Sequence, residues 1–87
     1  MIFISLFKVK AKPTRENTGD FTKMLDTMEK SGIKIHSMHW TLGFYDGVMI
    51  FEAPSEREAM KFAIKMSDDA QIETMVAIPR MEALKLL

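Results

Sequence analysis

The sequence contains no cysteine, which excludes disulfide frameworks, thiolate zinc sites, iron–sulfur clusters and thiol nucleophiles. It has no surplus of charge of either sign. Twelve Lys and Arg balance twelve Asp and Glu, so no net field steers the chain toward nucleic acid or an anionic membrane. No apolar run approaches the ~20 residues that a membrane helix requires. The apolar opening Met1-Ile2-Phe3-Ile4-Ser5-Leu6-Phe7 lacks a charged lead-in and a small-residue cleavage site. It therefore reads as a strand and not as a signal peptide, and a cytoplasmic location is the expectation. What is present is 87 residues, 47% hydrophobic and 28% charged, the composition of one globular domain with little core to spare.

The hydrophobic period alternates between that of a strand and that of a helix along the chain. Residues 1–10 are apolar on both parities, with Phe3, Phe7 and Val9 on one face and Ile2, Ile4 and Leu6 on the other; such a strand is buried on both faces. After a polar stretch with Pro13 and Gly19, the residues Phe21, Met24, Leu25 and Met28 fall at helical spacing, with Asp20 as the expected N-cap and Gly32 beyond the C-terminus. Residues 33–42 and 45–53 read as two strands joined by a two-residue Gly43-Phe44 turn. Ser55-Glu56-Arg57-Glu58 forms a capping box, and Ala59, Phe62, Ala63 and Met66 give the stripe of a second helix. Residues 71–79 alternate as a fourth strand, and 80–87 read as a short terminal helix. The order β-α-β-β-α-β predicts an α+β, ferredoxin-like domain: a four-stranded antiparallel sheet with two helices on one face.

Two helices cover only one side of such a sheet. With Leu42 opposite Tyr45, one hairpin face carries His36, Met38, Trp40, Leu42, Tyr45, Met49 and Phe51, and the other carries Ile33, Ile35, Ser37, His39, Thr41, Asp46, Val48, Ile50 and Glu52. The aliphatic centre of the second set suits helix packing. The first set, aromatic and rich in Met, is then the uncovered face, and monomers seldom expose patches of that kind beyond a few hundred Å². The expectation is a homodimer or higher homo-oligomer joined through the sheets.

The segment Trp40-Thr41-Leu42-Gly43-Phe44-Tyr45-Asp46-Gly47-Val48, continuing through Ile50 to Glu52-Ala53-Pro54, resembles the GYD-domain family, with its Gly-x-Tyr-Asp spacing. The similarity runs on through Lys61-Phe62-Ala63 and Glu73-Thr74-Met75 and covers most of the chain as a single domain. It is weakest from Lys12 to Asp20 and at Ser67-Asp68-Asp69. The resemblance implies a ferredoxin-like fold of the dimeric α/β-barrel type and supplies no mechanism.

Trp40 and Tyr45 join large apolar bodies to single polar handles, and Met38 and Met49 are adaptable. With His36, these residues are candidates for lining a site for a small, flat, apolar ligand. The competing reading is that the same side chains merely cement two copies together. His39 and Asp46 are candidate proton-transfer residues, because Thr41 opposes Asp46 and His39 is its diagonal neighbour. An Asp beside a tight turn more commonly bonds local backbone. The alternative function is thus a cofactor-independent monooxygenase or isomerase acting on a small apolar or aromatic substrate, set beside a binding or structural module. Enzymes of both kinds, and amino-acid-sensing domains, share the wider barrel superfamily, which is analogy at the level of fold. No metal or other cofactor is expected. His36 and His39 leave opposite faces of a strand, whereas zinc needs three or four convergent ligands, and haem would have only His36 as an axial candidate. The aromatic strand from Gly43 to Phe51 echoes RNA-recognition domains, but Leu42 stands where a basic residue belongs and Asp46 intrudes, so nucleic acid is not an expected partner.

Overall fold

A computed structural model describes all 87 residues. The elements are β1 (Ile2–Val9), α1 (Arg15–Lys30), β2 (Lys34–Trp40), β3 (Gly47–Glu52), α2 (Glu56–Met66), β4 (Ala70–Ala77) and α3 (Arg80–Leu84). The strands form one sheet in the order β2-β3-β1-β4, with every neighbouring pair antiparallel. This is the ferredoxin-like βαββαβ arrangement expected from the hydrophobic periods. Its core lies between one sheet face and the helices: Phe3, Phe7, Met49 and Phe51 from the sheet meet Met28 of α1 and Ala59, Phe62 and Met66 of α2. Phe51 stands at the centre, stacked on Phe3 at 5.4 Å and edge-on to Phe62 at 5.3 Å between ring centroids.

Local chemistry sets the helix boundaries. In α2 the Ser55 hydroxyl accepts the Glu58 amide at 3.4 Å. The Glu58 carboxylate instead takes the Lys61 ammonium at 3.1 Å, so only one half of the expected capping box forms. A complete box appears where none was expected. The Thr14 hydroxyl accepts the Asn17 amide at 3.1 Å and the Asn17 side chain accepts the Thr14 amide at 2.7 Å, a reciprocal pair that starts α1 at Arg15 and not after Asp20. The first turns, Arg15 to Gly19, carry no apolar side chain, so α1 begins well before its hydrophobic stripe does. At the far end, α3 stops at Leu84, and Leu86 and Leu87 are exposed.

One irregularity decides which side chains face which way. From Trp40 to Ser37 the hairpin keeps the expected register, with Trp40 opposite Gly47 and Met38 opposite Met49. Between Ser37 and Ile35 the ladder shifts, so that Ile35 opposes Phe51; His36 is the extra residue of a β-bulge. Strand alternation resumes one residue out of phase. Ile33 and Ile35 on one side of the bulge and Met38 on the other therefore all lie on the helix-facing side, with Met49 and Phe51, which are both 0% exposed. This corrects the face assignment drawn from an unbroken register, in which Met38, Met49 and Phe51 shared the uncovered face. The uncovered face is aliphatic: Ile2, Ile4 and Leu6 of β1, Val48 and Ile50 of β3, and Met75 of β4 share it through the paired register. All but Met75 are half-buried in one copy, and Met75 is exposed.

Candidate functional site: a cleft beneath the start of the first helix

Because α1 starts before its apolar stripe, its first turns stand over the sheet without filling the space below. A cleft of about 580 Å³ lies there, between the first half of α1, the end of β1, the Trp40 end of the hairpin and the turn from α2 to β4. Phe7, Phe21, Met24, Met38 and Trp40 supply its apolar wall. Phe7 and Phe21 pack against each other at 6.4 Å between ring centroids. Trp40 is 67% exposed and Leu42 is fully exposed at the mouth. A second depression of about 210 Å³, between the start of β1 and the end of β4, is smaller and carries few polar groups.

The hairpin that brings Trp40 to the cleft is clasped to β1 by the segment from Gly43 to Gly47. β2 ends at Trp40 and β3 begins at Gly47, so the connection is six residues long instead of two. It is closed by the Thr41 amide donating to the Asp46 carbonyl at 2.9 Å and the Thr41 hydroxyl donating to the Tyr45 carbonyl at 2.7 Å. Gly43 turns the chain at φ 115°, a backbone region that favours glycine. The Lys8 ammonium donates to the Phe44 carbonyl at 3.0 Å and sits 4.8 Å from the centre of its ring. The Asp46 amide donates to the Phe7 carbonyl at 2.9 Å, and its carboxylate accepts the Val9 amide at 2.9 Å. Gly47 lies directly against the Phe7 ring, which occupies the space a side chain would need.

The sequence-derived candidates are thus divided among three places. Trp40 and Met38 line the cleft. Met49 is sealed in the core, and Tyr45 and His36 are not among the cleft's lining residues. The Tyr45 hydroxyl interacts with Glu73 of β4: hydrogen bonding to that carboxylate, with burial and its charge adding, raises the phenol above its ordinary value of 10.0. His36, at the bulge, has its Nε2 3.3 Å from Glu52 Oε1, the two side chains being 38% and 44% exposed. His39 is exposed on β2, and no hydrogen bond joins it to Asp46, whose carboxylate is occupied by β1. Sequence reasoning placed Phe7, Phe21 and Met24 in strand and helix stripes without seeing that they also wall a cavity. The available signal was the polar run from Thr14 to Asp20 set just before an apolar stripe.

The topology and the clasped hairpin define a ferredoxin-like domain. The chain belongs to the GYD domain family, whose model matches residues 1–87. No curated protein matches it. Among solved structures it is similar to LrpC of B. subtilis, with a TM-score of 0.72 at 20% identity, covering 91% of this chain and 51% of that one. It is also similar to FFRP-DM1 (TM-score 0.57, 17% identity, 88% of this chain and 97% of that one). The 30S ribosomal protein S6 of Thermotoga maritima gives a TM-score of 0.54 at 16% identity over 98% of this chain and 92% of that one. The chain spans about half the length of LrpC, and at these identities the likenesses show the fold.

Proposed function

We propose that this chain is a cytoplasmic, homo-oligomeric module that binds a small, largely apolar molecule in the cleft beneath α1. The observation that carries the reading is the cleft itself. Its volume of about 580 Å³ falls within the range of small-molecule sites, ~300–1,000 Å³, and its wall of Phe, Met and Trp side chains is adaptable and apolar. The rim brings polar backbone and side chains from β1, α1 and the α2–β4 turn to the same opening. Homo-oligomerisation is supported by the bare aliphatic face of Ile2, Ile4, Leu6, Val48 and Ile50, which a second copy of the same sheet would cover. The binding reading is favoured over an acid–base enzyme because Asp46 is committed to the Val9 amide and His39 stands apart from it.

Trp40 is the chain's one tryptophan, so its fluorescence reports on the cleft alone. Native mass spectrometry of protein purified from its host should show a bound small molecule. Releasing that molecule should shift the Trp40 emission, and Phe21→Ala should weaken rebinding about ten-fold or more, the cost of losing ~2 kcal/mol of aromatic burial. A bare mass, together with Trp40 emission indifferent to every added aromatic probe, overturns the proposal.

A further inference from the structure

The lining of the cleft is unlike the rest of the chain in one respect. Over the whole sequence the charges cancel, yet the cleft is bordered by Asp20, Asp46, Asp68 and Asp69 against the single cation Lys10, three negative charges in excess. The Lys10 ammonium donates to the Ser67 carbonyl at 2.7 Å and forms no ion pair with any of the four. Asp46 is partly satisfied by the Val9 amide. The carboxylates of Asp20, Asp68 and Asp69 make no ion pair within the chain, whose two pairs are His36–Glu52 and Lys61–Glu58. The same cleft is lined by Trp40, Phe21 and Phe7, and the faces of aromatic rings attract cations. An apolar pocket rimmed by unpaired carboxylates is complementary to a molecule with a flat apolar body and a positively charged head.

We propose that the ligand of this cleft is a small organic cation, an amine or quaternary ammonium attached to an aromatic or aliphatic body; this rests on the cleft being a binding site, as proposed above. The body lies against Phe7, Phe21, Met24 and Trp40, and the charged head lies among Asp20, Asp68 and Asp69. An anionic ligand of the same shape is rejected by the same carboxylates. Specificity by charge then comes from the first half of α1 and the α2–β4 turn.

Three probes with one phenylbutyl body separate the possibilities: the cation 4-phenylbutylammonium, neutral 4-phenylbutanol and anionic 4-phenylbutyrate, with 4-phenylbutyltrimethylammonium as the quaternary form, each titrated against the intact protein at neutral pH by Trp40 fluorescence and calorimetry. The cation should bind about ten-fold more tightly than the alcohol, as expected for charges meeting at a solvent-accessible rim, and the anion more weakly than either. The preference should shrink with added salt. It should also disappear in the combined variant Asp20→Asn, Asp68→Asn, Asp69→Asn, whose positions are exposed, with the cation losing far more affinity than the alcohol. If the alcohol or the anion binds as well as the cation, or if the Asn variant keeps the preference, the charge assignment is overturned and the cleft survives as a binding site. If none of the probes binds, both the cation and the site fall together.

Discussion

Phe7 and Gly47 occupy one another's space: the ring of Phe7 on β1 lies where a Cβ on residue 47 would have to stand. The two residues are paired across the ladder, and Phe7 is at once a core residue and part of the cleft wall. The last glycine of the Gly43-to-Gly47 segment is thus a packing requirement, since its position calls for no side chain at all.

Gly47→Ala should accordingly destabilise the domain by about 1–3 kcal/mol, the usual cost of overpacking a filled core. Urea denaturation checks this. Because Phe7 must move to make room, probe binding in the cleft should weaken in the same variant.

Thr14 holds the start of α1. Thr14→Ala removes the acceptor for the Asn17 amide and should cost about 1 kcal/mol. The loss should appear as faster amide hydrogen exchange over residues 15–20, and the cleft beneath those turns should bind its ligand less tightly.

Gly19 sits inside α1, exposed, with open space for 4 Å around the position a methyl group would take and no need for a positive φ. Gly19→Ala should stabilise the protein by about 0.5–1 kcal/mol, read as a raised thermal midpoint.

Tyr45 is the chain's one tyrosine, and its ionisation can be followed by ultraviolet absorbance. Its midpoint should lie above 10.0 because Glu73 disfavours the phenolate, and Glu73→Gln should lower it. The folded value is raised, so the stabilising contribution is present below the unfolded value and is lost as pH climbs through the folded one. The stability that the wild type loses above pH 10.0 through this group should therefore be smaller in the Gln variant, whose alkaline profile is flatter.

Much of this architecture is legible in the residues themselves. Ala59, Phe62 and Met66 repeat at helical spacing behind Ser55, and Phe3 and Phe7 share the parity of one strand face, so the order of elements and most of the core follow from period alone. The hairpin faces do not, because a bulge at His36 inserts a single residue without a glycine or proline to mark it, and every side chain beyond it changes side. The start of α1 escaped for a different reason: its capping box pairs Thr14 with Asn17, where Glu or Gln is the familiar partner, and the turns that follow offer no apolar repeat. The cleft was invisible for the same cause, being the space those polar turns leave unfilled. Trp40 and Met38 were recognisable as ligand-lining types; that Met49 belongs to the core follows only once the bulge brings Ile33 and Ile35 to its face.

The most direct discrimination comes from Trp40 emission measured in the wild-type protein and in Leu6→Glu, with sedimentation and far-ultraviolet circular dichroism on both. Leu6→Glu should remain folded and sediment as a single copy, while the wild type sediments as a larger assembly. Trp40 emission should be the same in both and should shift in both when 4-phenylbutyltrimethylammonium is added. Emission that changes on dissociation and ignores the added probe would place Trp40 between subunits and contradict a ligand cleft beneath α1.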